Sequence, residues 1–299
     1  MSANEPKSAF IAIVGCPNVG KSSILNRMLG EKIAIVSPKP QTTRTRILGV
    51  LTENETQLVF TDTPGYHAPK TVLGEKMVKA VSAGLRDVDA CLLVTEPKGE
   101  IREEERTLIK KIQKEGIPAV LAINKIDTLE DKTQLLSRIA AFSALFDFAA
   151  VVPVSARTGS GMNELKAELK KLAAPCEHFF EDDTLTDQPE KVLAAEYIRE
   201  KLLKYLDNEV PHGTAVAIEK FKEREDAELL DIEATIYCEK ESHKAIIIGK
   251  KGEMLKKIST GARIDLERFF GVKVNLHCWV KVKEDWRNRE GLIRNFGLD

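Results

Sequence analysis

The stretch Gly15-Cys16-Pro17-Asn18-Val19-Gly20-Lys21-Ser22 has the spacing G-x-x-x-x-G-K-S, which is typical of a phosphate-binding loop. It follows residues 10–14, an apolar segment that reads as a short buried strand, and it precedes residues 23–29, which read as a helix. A glycine-rich turn that arose by chance would not require a strand directly before it and a helix directly after it. The motif therefore predicts a loop whose backbone N–H groups face phosphate oxygens, next to a helix N-terminus that adds its positive dipole.

The last two residues of this motif carry its chemistry. Lys21 can place its ammonium on the β- and γ-phosphates of a nucleoside triphosphate, and the Ser22 hydroxyl can ligate Mg²⁺. We therefore predict a nucleotide and Mg²⁺ as ligands, with all eight residues of the motif at the nucleotide.

A polar loop with two prolines, residues 32–46, lies where a nucleotide-sensing switch is expected. A threonine in this loop can offer its hydroxyl to Mg²⁺ and its N–H to the γ-phosphate. The sequence leaves Thr42 and Thr43 open for this role, and we predict Thr43.

The segment Asp62-Thr63-Pro64-Gly65-Tyr66 comes directly after an apolar strand, residues 57–61. A carboxylate at a strand end is well placed beside Mg²⁺, and Gly65 lets the backbone approach the γ-phosphate. We predict that Ser22, Thr43 and Asp62 surround the metal. Lys21, Thr43 and Gly65 are the predicted catalytic groups.

The segment Asn124-Lys125-Ile126-Asp127 follows another apolar strand, residues 118–123, and it predicts the base. The Asp127 carboxylate can accept both N1–H and the exocyclic amine of guanine, whereas adenine presents an acceptor at N1. Asn124 can bond the guanine edge, and the Lys125 stem can lie over the ring. The alternative is a strand-end turn capped by Asn and Asp, which would not need the two earlier motifs in register. One strand later, the backbone of Ser155-Ala156 can read guanine O6.

Together these four stretches resemble the TRAFAC-class GTP-binding domain, and the resemblance covers residues 8–172. It implies GTP hydrolysis on an α/β fold, and the alternation of strands and helices itself predicts a mostly parallel sheet. Tyr66 stands where Ras-like GTPases place the glutamine that orients the attacking water. The chain therefore resembles the subclass without that glutamine, in which the residue equivalent to Asn18 coordinates a monovalent cation, here K⁺.

Composition places the chain among globular proteins of ordinary charge. It has 299 residues, 43% of them hydrophobic, and a formal net charge of −1. The charge is uneven: residues 181–240 carry 8 Lys and Arg against 17 Asp and Glu, whereas residues 241–299 carry 13 against 8. The five cysteines are scattered, which predicts reduced thiols. No signal-like segment or membrane-length apolar run is present, so we expect a cytoplasmic protein, with peripheral membrane contact left open.

An acidic segment bracketed by prolines, residues 173–190, is the predicted linker to a second domain, residues 191–299. Two alternating segments, residues 230–238 and 272–282, read as half-buried strands. Between them lies Ile248-Gly249-Lys250-Lys251-Gly252, which resembles the GXXG loop of a type II KH domain. Its glycines would let the turn approach a phosphate backbone, and its lysines supply charge; a solvated turn is the plainer alternative.

A GTP-binding domain followed by one type II KH domain resembles the Era-type GTPases. The resemblance implies a monomer that binds the 3′ end of small-subunit ribosomal RNA and acts in small ribosomal subunit assembly. Two other functions remain open from the residues. One is a membrane-associated or cell-cycle regulator whose KH module binds protein or lipid, and the other is a GTP-powered RNA-modifying factor.

Overall fold

The computed structural model describes residues 5–39, 42–66, 69, 71–131, 133–224 and 228–298. Pro40 and Gln41 of the predicted switch loop, and residues 225–227 and 299 of the predicted second domain, lie outside the described residues. The chain forms two compact units. The first comprises Met1–Val36, Thr43–Pro69 and Gly74–Asp187, and the second comprises Ser37–Thr42, Lys70–Leu73 and Gln188–Asp299.

A seven-stranded sheet organises the described part of the first unit. Its strands are β1 (Lys7–Val14), β2 (Ile47–Glu53), β3 (Thr56–Asp62), β4 (Ala90–Thr95), β5 (Ala119–Ile123), β6 (Ala150–Pro153) and β7 (Ala174–Pro175). The order is β2-β3-β1-β4-β5-β6, with β7 paired to β1. In this order every neighbouring pair from β3 across to β6 is parallel. The carboxyl ends of β1, β3, β4 and β5 therefore lie along one edge of the sheet. The predicted mostly parallel α/β fold is confirmed.

The helices between these strands are α1 (Lys21–Leu29), α2 (Val72–Gly84), α3 (Glu103–Glu115), α4 (Thr133–Ser143) and α5 (Met162–Lys170). Helices α2, α3 and α4 bury Val81, Leu108 and Phe142 against alternate side chains of β1, β4 and β5. The intervening β1 residues, Ile11 and Ile13, are also fully buried. Because successive side chains of a strand point to opposite faces, both faces of the sheet are covered.

Two segments depart from a simple strand-and-helix alternation. Strand β2, which was not predicted from the sequence, pairs antiparallel with β3 through a two-residue turn in which Asn54 has φ 53°. The predicted linker packs on β2 and β3, where Gln57 bonds the backbone of Phe180 and Val50 N–H donates to Leu185 O. The linker and domain boundaries remain predictions.

The second unit has a three-stranded sheet. After α6 (Glu190–Tyr205) come β8 (Ala215–Glu223), β9 (Leu229–Cys238), α7 (Glu241–Ile248), α8 (Glu253–Phe270), β10 (Lys273–Val282) and α9 (Glu290–Asn295). Strand β9 is central, antiparallel to β8 and parallel to β10. From β8 to β10 the elements follow the order strand–strand–helix–helix–strand. Helices α6, α7 and α8 lie on one face of the sheet, while Phe296 at the end of α9 packs on Tyr237 on the other face.

The core of this unit is formed by Ile198 of α6, Ile236 of β9 and Ala262 of α8, all fully buried. In the described part of the chain, no helix is both long and apolar enough to cross a membrane.

Candidate nucleotide site and candidate RNA-binding loop

The predicted phosphate-binding loop joins the end of β1 to α1, which begins at Lys21. Its first residue, Gly15, has φ +154°, and a Cβ there would lie 2.3 Å from the backbone oxygen of Val94. Only glycine avoids this clash, so the neighbouring strand β4 forces the loop into its curve. The N-terminus of α1 therefore opens at the carboxyl edge of the sheet, where parallel α/β sheets bind ligands.

The Lys21 ammonium is held inside this loop. Its Nζ donates to the carbonyl oxygens of Gly15 at 3.2 Å and Cys16 at 3.1 Å, and the residue is only 6% exposed. Burial lowers the pKa of Lys21, and the nearby Asp62 carboxylate partly opposes that shift. A buried cation with two neutral partners is suited to receive a strongly negative ligand.

Three predicted metal ligands meet at one point. Ser22 Oγ donates to Asp62 Oδ2 at 2.6 Å, and Thr43 Oγ1 lies 3.0 Å from Ser22 Oγ and 3.3 Å from Asp62 Oδ2. The Thr42 hydroxyl instead donates to the carbonyl of Lys39 at 2.7 Å. Of the two threonines left open by the sequence, the geometry therefore favours Thr43.

This oxygen cluster fits Mg²⁺. Asp62 is fully buried, and its Oδ1 meets no donor in hydrogen-bond geometry among the described residues. Burial raises the pKa of Asp62, opposed mainly by Lys21. An orphaned buried carboxylate oxygen beside two hydroxyls is the hard oxygen environment that Mg²⁺ prefers, and a bound cation would satisfy it.

The segment after β3 contacts the phosphate-binding loop directly. Tyr66 N–H donates to Gly15 O at 3.1 Å, and a Cβ on Gly65 would lie 2.7 Å from Pro17 Cα. Gly65 is therefore required for the close approach to Pro17, and its predicted approach to the γ-phosphate stays a prediction. The Tyr66 ring packs on the core of the first unit, with Lys111 Nζ 4.6 Å from its centroid.

The Asn124 side chain connects the phosphate-binding loop to the segment after β6 through two hydrogen bonds. Its Nδ2 donates to Val19 O at 2.9 Å, and its Oδ1 accepts from Ala156 N–H at 3.0 Å. We expected the Asn124 side chain to bond the guanine edge and a backbone N–H of Ser155-Ala156 to bond guanine O6. In this structure the Ala156 N–H donates to the Asn124 side chain instead. The same bonds fix the base-reading segment relative to the phosphate-binding loop.

Two residues outside the predicted set complete this segment. Lys125 Nζ contacts Glu96 Oε1 and Asn18 O, each at 2.5 Å. Asp127 accepts from Ser155 Oγ and forms an ion pair with Arg157 Nη2, each at 2.6 Å. The Ser155 hydrogen bond is the largest cause of a lowered Asp127 pKa, so the carboxylate is ionised at neutral pH. In the structure Glu96 directly follows β4, and Arg157 directly follows the predicted Ser155-Ala156 pair.

The second candidate site is the turn between α7 and α8. Helix α7 ends at Ile248, and Gly249 (φ +73°) leads into a short turn, Lys250–Gly252. A Cβ on Gly249 would lie 2.7 Å from Met254 Cβ, so this glycine lets α8 start immediately beneath the turn. Lys250 and Lys251 are exposed, and no described residue bonds either ammonium. The turn presents two cations and a helix N-terminus to solvent.

Two sequence families match the chain. The family described as 50S ribosome-binding GTPase matches residues 10–125, and the KH domain family matches residues 209–287. GTPase Era from Ruminiclostridium cellulolyticum is 48% identical over 291 residues, which cover 97% of each chain. GTPase Era from Clostridioides difficile is 48% identical over 293 residues, which cover 98% of this chain and 99% of the relative.

This chain belongs to the Era family of GTPases. As a member, it hydrolyses GTP to GDP and phosphate, so the family, fold class and activity predicted from the sequence are confirmed. Aquifex aeolicus Era bound to GDP·AlF₄⁻ has a TM-score of 0.94 and 39% identity, covering 98% of this chain and 99% of that one. A second Era structure, in complex with MgGDPNP and nucleotides 1506–1542 of 16S ribosomal RNA, matches with the same values.

Proposed function

We propose that this chain is a GTP-driven switch that binds the 3′ end of small-subunit ribosomal RNA and acts in small-subunit assembly in the cytoplasm, as a monomer. The observation that carries the proposal is the exposed Lys250–Gly252 turn in a KH unit on the same chain as the buried cluster of Ser22, Thr43 and Asp62. An Era structure of the same fold over 98% of this chain holds 16S ribosomal RNA, which supports the choice of RNA.

The matching GTPase family is described by the large subunit, yet we favour the small one. That family covers only residues 10–125, whereas the similarity to the Era–16S RNA complex extends over nearly the whole chain and includes the KH unit. The KH unit offers the more direct contact, because GXXG turns bind single-stranded RNA backbones.

At the nucleotide, we assign roles by position. Ser22, Thr43 and Asp62 would hold Mg²⁺, which supplies charge neutralisation on the phosphates. Lys21 exchanges its two carbonyl partners for phosphate oxygens, and the backbone at Gly65 closes on the γ-phosphate. These three groups, Lys21, Thr43 and Gly65, stabilise charge on the transferred phosphoryl group.

At the base, Asp127 accepts two guanine protons, while Asn124 keeps the reading loop in register with the phosphate-binding loop. The Lys125 stem lies against the ring. We place K⁺ near Asn18, whose backbone has φ 64° and whose side chain is exposed beside the phosphate-binding loop.

The test measures binding of full-length protein to a fluorescent oligonucleotide with the 3′-terminal small-subunit sequence. A scrambled oligonucleotide, a large-subunit sequence and anionic lipid vesicles run in parallel, each with GDP and with a non-hydrolysable GTP analogue. We expect preference for the 3′-terminal sequence and a nucleotide-dependent difference in affinity. Equal binding to every RNA, or binding to vesicles alone, would refute the proposal and favour the membrane alternative.

A further inference from the structure

The face of the KH sheet opposite α6, α7 and α8 carries an exposed pair of aromatic rings, next to the part of that face where Phe296 packs on Tyr237. Side chains alternate along β10: Val274, Leu276 and Val280 pack into the core, so the residues between them point to the other face. The residues of β10 on that other face are Lys273, Asn275, His277, Trp279 and Lys281.

Trp279 is one of the large hydrophobic side chains that lie at the surface. It is 47% exposed, and its ring stacks on His277 with centroids 6.2 Å apart and an interplanar angle of 29°. The other tryptophan of the chain, Trp286, is fully buried and donates its indole N–H to Gly213 O at 2.9 Å. Trp286 therefore serves packing, whereas Trp279 offers a free aromatic face.

The charges around the ring pair favour a polyanion. The acids of β9 on this face already have cationic partners: Asp231 pairs with Arg224 at 3.0 Å, and Glu233 lies 3.7 Å from Lys220. On β10, Lys273 and Lys281 flank the rings, and no described residue forms an ion pair with either. Stacked rings between lysines are the combination that binds single-stranded nucleic acid.

The position of β10 connects this face to the GXXG turn. The sheet order β10-β9-β8 places β10 at an edge, so no described strand lies beyond it. Helices α7 and α8, which carry the GXXG turn between them, contact β10 from its other face. An RNA strand that leaves the turn can therefore cross one strand edge and reach the rings.

We propose that Trp279 and His277 form a second base-stacking surface for single-stranded RNA, an inference that rests on the proposed RNA-binding function. One or more bases beyond those held at the GXXG turn stack on Trp279, and Lys273 and Lys281 contact the adjoining phosphates. An apolar protein partner fits less well, because the two rings are surrounded by lysine and asparagine and not by a continuous apolar patch.

The experiment compares two RNAs on full-length protein. A short oligonucleotide of about four nucleotides fills the GXXG site alone, and a longer one extends past it. Trp279→Ala should lower the affinity for the longer RNA about tenfold and leave the affinity for the short one unchanged, since base stacking on an aromatic side chain contributes binding free energy on this scale. Trp279→Phe should recover most of the loss. Ile264→Ala, at a 46% exposed position of α8, is the matched control and should change neither affinity.

Fluorescence gives an independent readout. The longer RNA should quench tryptophan emission in the wild type but not in Trp279→Phe, which retains only the buried Trp286. The inference would be overturned if Trp279→Ala bound the longer RNA as tightly as the wild type does, or if it lost the same affinity for both RNAs. Either result would leave the proposed function intact. If the wild type bound neither RNA, the proposed function would fail as well.

Discussion

The two candidate sites are built in opposite ways. Around the phosphate-binding loop, polar groups are buried and bonded to one another: Lys21 is 6% exposed and Asp62 is fully buried. In the GXXG turn, Lys250 and Lys251 stand in solvent on a backbone fixed by glycine. The first site is a closed network, and the second is an exposed surface.

This difference predicts how each site responds to change. Burying ionised groups is costly unless a ligand supplies the missing partner. Substitutions in the network should therefore cause large changes in affinity for one ligand, the nucleotide. Exposed cations interact with phosphates through screened electrostatics, so substitutions in the turn should have graded effects that depend on salt.

The largest effect is expected at Asp127. Asp127→Asn should lower GTP affinity at least a hundredfold and raise affinity for xanthosine triphosphate. The amide cannot accept both guanine protons, but it can donate to the extra xanthine carbonyl. Titration with labelled GTP and xanthosine triphosphate measures both affinities.

Its control is Asp131→Asn, at an exposed position of the following loop. This variant should keep wild-type affinity for both nucleotides. An Asp127→Asn protein that binds GTP normally and ignores the xanthine nucleotide would place the base elsewhere.

The nucleotide site was largely predictable because its information is local. Each predicted segment follows an apolar strand, and parallel strands end along one edge, so spacing alone brought Ser22, Asp62 and Asp127 to the same side of the sheet. The choice of Thr43 over Thr42 was not local. It depends on which hydroxyl reaches Asp62 after folding.

Residues that act through distant partners were missed or assigned incompletely. Asn124 was expected at the base, yet its amide bonds Val19, which is 105 residues away in the chain. Strand β2 was also not predicted. Its apolar residues directly follow the polar switch loop, and they form a strand by pairing with β3. Trp279 was included in an alternating strand, but the pattern could not show that its ring would remain 47% exposed.

The second prediction concerns the exposed turn. Replacing Lys250 and Lys251 with Asp should weaken RNA binding at least tenfold. It should also flatten the dependence of log affinity on log salt by about 1.4, since each phosphate contact in a single strand contributes about 0.7. RNA titration at two salt concentrations measures both changes.

GTP affinity of the same preparation should remain unchanged, because no described residue of the nucleotide site bonds either lysine. Replacing Lys256 and Lys257 of α8 with Asp is the charge-matched control and should cost less affinity. Unchanged RNA binding by the Lys250 and Lys251 variant would reduce the GXXG segment to a solvated turn.

A smaller effect is expected at Arg157, which pairs with the base-reading carboxylate. The Arg157 side chain is 77% exposed, and such pairs contribute little, so Arg157→Ala should raise GTP and GDP affinity only about threefold. The gain arises because guanine no longer displaces the guanidinium from Asp127, and it should shrink at high salt. Arg157→Lys should lie between the two. Weaker nucleotide binding by Arg157→Ala would mean that Arg157 contacts the nucleotide itself.

The smallest effect is expected at Tyr66, although it stands where Ras-like GTPases have glutamine. A phenol is a poor base at neutral pH, and its ring packs on the core beside Lys111 while its backbone N–H holds Gly15. Tyr66→Phe keeps both features, so single-turnover hydrolysis should change less than about twofold. Replacing K⁺ with Na⁺ should slow wild type and variant alike if a monovalent cation near Asn18 neutralises charge in the transition state. Abolished turnover in Tyr66→Phe with intact GTP binding would instead make the Tyr66 hydroxyl part of the chemistry, beside the buried groups Lys21 and Asp62.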